Sequence, residues 1–144
     1  MYKRILVPLE NGPADATILQ HVSGLAKLLG AEVLLLHVAD GWAARNMESL
    51  NLRESQEMKD DRMYLERVCQ DLRNAGVEAD AMLAAGDPAK EIAAAAEREQ
   101  ADLIAMATHG HSMFSDVVHG TTATALRHVS RIPVLMVRAP APEP

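Results

Sequence analysis

A chain of 144 residues with a formal charge of −6 is the size of one ordinary domain, and 49% apolar with 24% charged residues is the balance of a folded protein, not of a disordered one. The acidic balance argues against nucleic acid as a partner, because phosphate contacts need a basic surface. The apolar run Ile5 to Leu9, interrupted by Pro8, is too short for a signal-peptide core or a membrane span, and a single cysteine, Cys69, allows no internal disulfide; a cytoplasmic protein is expected.

Short runs of branched aliphatics alternate with longer helical patterns, the signature of βαβ units around a parallel sheet. The first strand is expected over Arg4 to Leu9. A helix follows, with Gly12 as N-cap and Pro13 at its first position, Ile18, Leu19, Val22, Leu25, Ala26 and Leu29 on its inner face, and Gly30 at its end. The second strand, Glu32 to Val38, is apolar almost throughout, as a strand covered on both faces must be; His37 within it is read as a strand histidine with a satisfied hydrogen bond. Ala39 to Met47, with Trp42 and Arg45, reads as a loop, either a lid over a ligand crevice or a cap on the core edge.

The second helix is predicted from Glu48 to Ala75 with Met58, Leu65, Val68, Cys69, Leu72 and Ala75 as its buried stripe, which makes Cys69 a small core hydrophobe. Glu78 to Ala84 is the third strand. Asp87-Pro88 caps a third helix around Ile92 to Ala96, and Asp102 to Ala107 is the fourth strand. The last helix begins near Thr121, turns Thr122, Ala125, Leu126 and Val129 inward, and leads to a fifth strand over Ile132 to Val137. The domain thus covers residues 1–138, and Ala139 to Pro144, with three prolines, is expected as an extended tail.

The fold class these elements define is α/β: a doubly wound, Rossmann-like, five-stranded parallel sheet of order 3-2-1-4-5 with four helices. In such sheets a ligand sits beyond the carboxyl ends of the strands where their order reverses, here between the first and fourth. Pro8-Leu9-Glu10 and Met106-Ala107-Thr108-His109-Gly110 occupy those two ends. From Gly110 a nine-residue arch reaches Gly120-Thr121-Thr122 at the start of the last helix. Glycines there let backbone N–H groups approach an anion, the helix N-terminus adds partial positive charge, and the threonines can donate hydroxyls. No Lys or Arg lies between Thr108 and His119, so phosphate charge would be met by backbone N–H groups, a metal or protonated histidine. His109, His111 and His119 lack the carboxylate or cysteine spacing of a zinc motif and are read as loop residues near phosphate.

Together with Arg4-Ile5-Leu6-Val7-Pro8, Leu36-His37-Val38, Gly86-Asp87-Pro88 and Ile132-Pro133-Val134-Leu135-Met136-Val137, this arch resembles the ATP-binding branch of the universal stress protein family over nearly the whole chain. That branch places glycine, two residues, glycine, nine residues and then glycine with serine or threonine between the fourth strand and last helix. Ala107 stands in place of the first glycine, Glu10 in place of the usual aspartate, and His111 where many relatives have Arg or Lys. The resemblance implies a stress-response regulator binding ATP or another adenine nucleotide, with Mg or Mn as accompanying metal. Val38 and Leu9 would offer backbone groups to adenine, Glu10 would face ribose or metal, and Gly110, Gly120, Thr121 and Thr122 would hold phosphates. Pro8, Met106, Ala107, His109 and His111 complete the implied site. The alternative is a nucleotide-free dimer acting through protein contacts. No Walker loop or nucleophile elbow is present, so slow ATP hydrolysis is the most enzymatic activity the residues suggest. A homodimer through the exposed edge of the last strand and an unidentified regulatory protein are the implied partners, with no membrane or nucleic acid.

Overall fold

The computed structural model describes residues 1–40, 51–108 and 122–140, with side chains described from residue 56 in the second of these stretches. Five strands, β1 (Arg4–Pro8), β2 (Glu32–Asp40), β3 (Ala79–Gly86), β4 (Leu103–Thr108) and β5 (Val134–Arg138), form one parallel sheet in the order β3-β2-β1-β4-β5. Among the described residues four helices accompany it: α1 (Asp15–Leu29), α2 (Asn51–Asn74), α3 (Pro88–Arg98) and α4 at 122–129. The expected fold class and strand order are those observed.

Strand alternation sends β1 and β2 side chains to both faces, and each face has its own core. Ile5, Val7, Val33 and Leu35 pack with Ile18 and Val22 of α1 and Leu65 and Leu72 of α2. On the opposite face, Leu6, Leu34, Leu36 and Ile104 meet Ile92, Ala95 and Ala96 of α3 and Leu126 of α4. Cys69 is buried in the first core, and burial pushes its thiol above the ordinary range.

Local chemistry sets the helix ends. Gly30 takes a left-handed φ of 67°, and Ala31 N–H returns to the Ala26 carbonyl at 3.0 Å, which closes α1. Asp87 caps α3 by accepting from Lys90 N–H at 3.1 Å, with Pro88 at the first position.

Three expectations need correction. Helix α1 starts at Asp15 with Ala14 as N-cap, not at Gly12-Pro13, because Asn11 adopts φ 62° and the Asp15 carboxylate accepts from the amides of Glu10, Asn11 and Gly12, which holds the chain in a turn ahead of the helix. Ala75 is exposed, since α2 ends at Asn74. Val129, at 54% exposure, points outward while Ala123 is buried: steps of three residues lag the helical period, so Ala123 and Leu126 share a face that Val129 has already left.

At the far end, Ala139 is buried and its N–H donates to the Thr108 carbonyl at 2.7 Å, extending the packed chain one residue past the expected domain limit. The Trp42 and Arg45 loop lies outside the described residues. Among the described residues no helix is long and apolar enough to cross a membrane.

Candidate functional site

Among the described residues, depressions open at both ends of the sheet. The one at the amino end, of about 590 Å³, is lined by Arg4, Glu32, Arg73, Glu78 and Asp80 among others. Four of its charges meet in pairs that reach solvent: Arg4 with Glu32 at 3.3 Å, Arg73 with Asp80 at 3.2 Å. Pairs of this kind hold a surface together weakly and present no convergent polar groups to a ligand.

The depression at the carboxyl end is smaller, about 260 Å³, and is built differently. Pro8, Leu9 and Glu10 enter it from β1 and its turn, Val38 from β2, Met106 and Ala107 from β4, and Thr122 from the start of α4. These are all the expected site residues that fall in the described chain. His109, Gly110, His111, Gly120 and Thr121 lie outside it. The crevice opens where order reverses between β1 and its two neighbours, β2 and β4.

Five further residues line it that the sequence reading did not place there: Ala14, Asp15, His37, Pro88 and Ile92. Asp15 is the most consequential. It is 4% exposed, and its carboxylate accepts from the N–H groups of Glu10, Asn11 and Gly12 at 3.2, 2.9 and 3.3 Å and from the Tyr64 hydroxyl at 2.6 Å. Four donors satisfy a buried charge that would otherwise be costly. Burial first, and then the bond to Asp15, push the Tyr64 phenol above its ordinary range, so it remains a donor.

A second tie joins the same turn to α2. His37 Nδ1 lies 2.9 Å from the Leu9 carbonyl and Nε2 lies 3.2 Å from Asp61, whose other oxygen accepts from Asn11 Nδ2 at 3.3 Å. Asp61, Tyr64, Leu65 and Val68 recur at helical spacing, so the two polar groups continue the buried stripe of α2. That spacing is the signal that could have found them.

Main-chain groups at the cavity differ from what the resemblance implies. Leu9 N–H donates to the Leu36 carbonyl at 2.7 Å and the Leu9 carbonyl is already engaged by His37, so Leu9 has no N–H to offer a base. Val38 stands two residues beyond Leu36, the last β2 residue registered with β1, and strand alternation turns its N–H and C=O to the side where β1 has left the sheet. Among the described residues no cluster of three His, Cys, Asp or Glu could hold a metal. Asp15 does not fit as a ligand because its oxygens are taken by four donors. Glu10 is the other carboxylate on the wall.

The sequence model of the universal stress protein family matches residues 1–138. This chain belongs to the universal stress protein family. Among its relatives is universal stress protein MJ0577 of Methanocaldococcus jannaschii, 28% identical over 96% of each chain. The solved structure of MJ0577 superposes with a TM-score of 0.83 over 99% of both chains. The same fold recurs in a universal stress protein from Archaeoglobus fulgidus in complex with dAMP, at TM-score 0.66 and 19% identity over 94% of this chain and 98% of that one. It recurs also in a universal stress protein in complex with cAMP, at TM-score 0.70 and 15% identity over 95% and 97% of the two chains.

Proposed function

We propose that this universal stress protein is a nucleotide-responsive cytoplasmic regulator that binds ATP or a related adenine nucleotide at the carboxyl ends of β1 and β4. One observation carries the reading: residues chosen for a nucleotide site from separate parts of the sequence, from Pro8 to Thr122, line a single crevice at the sheet's reversal point. The adenine nucleotides bound by two proteins of this fold support the choice of ligand class. In this reading the base lies against Leu9, Ile92 and Met106 with Val38 as its backbone partner, ribose lies toward Glu10, and phosphates run toward Thr122, Thr121, Gly120 and Gly110.

Calorimetric titration with ATP, AMP, dAMP and cAMP, with and without magnesium or manganese, tests it. Saturable binding of at least one, accompanied by a higher melting temperature, is expected. No heat and no shift with any of the four at millimolar concentration would leave the nucleotide-free alternative.

A homodimer through β5 belongs to the same proposal. β5 is a sheet edge, and Met136 on it is 47% exposed. The Ile104 N–H bond to the Pro133 carbonyl and the Ala139 N–H bond to the Thr108 carbonyl show that odd-numbered residues face β4. Val134 and Met136 therefore turn their backbone groups to the open side. Met136→Pro removes a donor on that side without touching the β4 ladder. Sedimentation should give a wild-type dimer and a folded monomeric variant; a wild-type monomer at tens of micromolar protein overturns the dimer.

A further inference from the structure

His37 lines the cavity and also reaches an acidic residue of α2, and the chemistry of its two contacts is unusual. Its Nδ1 faces a backbone carbonyl at 2.9 Å and its Nε2 faces the Asp61 carboxylate at 3.2 Å. Both partners only accept. A neutral imidazole carries one N–H, so it can satisfy one of the two; the ring bonds to both only with a proton on each nitrogen. The side chain is 14% exposed and Asp61 20%, so most of each group faces protein and only part of it faces solvent.

We propose that His37 is a proton-dependent positioning residue of the crevice, fastening the Leu9 carbonyl at its wall to Asp61 of α2 while the ring carries two protons. The inference rests on the nucleotide reading of the crevice and adds to it a control by pH. Loss of one proton leaves two choices, and each undoes a tie. With the proton kept on Nδ1, the Nε2 lone pair faces the Asp61 carboxylate and α2 is repelled. With the proton kept on Nε2, the Nδ1 lone pair faces the Leu9 oxygen, and the segment that carries Leu9 and Glu10 into the crevice is loosened.

The remaining surroundings do not supply a substitute. Among the described residues, the other charged groups that share the crevice with His37 are Glu10 and Asp15, both from the β1–α1 turn and both acidic. The residue registered with His37 on β3 is Leu83, and α3 contributes Pro88 and Ile92 to the same crevice. Carboxylates on one side and hydrocarbon on the others leave the second proton as the means of holding both contacts. A ligand that packs on Leu9 therefore binds the doubly protonated form better, and by linkage its affinity falls as pH rises through the titration of the ring.

The test uses the full chain labelled with nitrogen-15, wild type and Asp61→Asn, from about pH 5 to about pH 8, the range in which histidine changes charge. Long-range proton–nitrogen spectra follow both ring nitrogens of His37 and the amides of Leu9 and Glu10. AMP affinity is measured in parallel, and titration of its phosphate cancels in the ratio of the two proteins. An asparagine side chain can accept from one ring form and donate to the other, so it removes the need for the second proton.

The expected result is that Leu9 and Glu10 amides move in step with the wild-type ring, and that wild-type affinity relative to Asp61→Asn falls by up to about tenfold over the range, the worth of one charge-assisted hydrogen bond. A ring that titrates without moving the two amides, a ring neutral throughout, or an affinity ratio independent of pH would overturn the proposal. Absence of AMP binding would overturn the nucleotide reading instead, and the amide response to the ring would still decide the latch.

Discussion

The two walls of the crevice are built on opposite physical terms. On the side of β1, β2, α2 and the start of α1, Asp15, Tyr64, His37 and Asp61 tie a short turn to a distant helix through hydrogen bonds. On the side of α3 and β4, Pro88, Ile92, Met106 and Ala107 offer hydrocarbon and shape. Directional ties determine where Leu9 and Glu10 stand to within a hydrogen-bond length, while packing determines how much room is left. A ligand with a flat apolar base and a polar sugar suits such a pair of walls, which is the physical sense of the nucleotide proposal.

Disrupting the polar wall should cost most. Asp15→Ala removes the acceptor of three amides and a phenol at once, and a loss of about 4 kcal/mol in urea unfolding is expected, since bonds to a buried charge exceed neutral ones. A loss below about 1 kcal/mol, the level of a surface change, would mean that water replaces the carboxylate readily. The apolar wall should give way next: Ile92→Ala, at a position 3% exposed, should cost about 3 kcal/mol by lost burial and a cavity. Comparable losses on the two sides, with nucleotide affinity affected by both, would show that the walls act as one unit.

Tyr64→Phe is subtler, at about 2 kcal/mol near neutral pH. Its distinctive mark lies at alkaline pH. The folded phenol holds its proton above the ordinary value of 10.0, whereas the unfolded one does not. Its contribution is therefore complete below that value and is lost as pH rises beyond it, because the unfolded state gives up protons first. Wild type should lose stability in that window more steeply than Tyr64→Phe; parallel curves would remove Tyr64 from the network. The smallest effect belongs to Ala107→Gly. It should lower stability by less than about 1 kcal/mol through strand flexibility, and tighten AMP binding by up to about tenfold if the methyl group narrows the crevice. Unchanged affinity would place that methyl away from the ligand.

The apolar wall was far more legible in the sequence than the polar one. Strand runs such as Val33 to Leu36 and the Asp87-Pro88 cap follow from periodicity and local chemistry, and the reversal point then follows from strand order. Asp15 escaped because its partners are backbone amides of a turn whose geometry depends on Asn11 taking φ 62°, which a Gly-Pro pair one residue later obscured. Asp61 was hidden by its own charge: a carboxylate on a helix ordinarily faces water, and only contact with His37 of a strand 24 positions earlier in the sequence gives it an inward role. Contacts between distant side chains leave little trace in local pattern, whereas hydrophobic spacing does.

Amide chemical-shift mapping of the full chain during titration with AMP addresses the central claim most directly. The account predicts saturable shifts concentrated at Leu9, Glu10, Val38, Met106, Ala107 and Thr122, with Arg73, Gly76 and Asp80 at the opposite end of the sheet unmoved. Shifts concentrated at that amino end, or none at millimolar AMP, would contradict it.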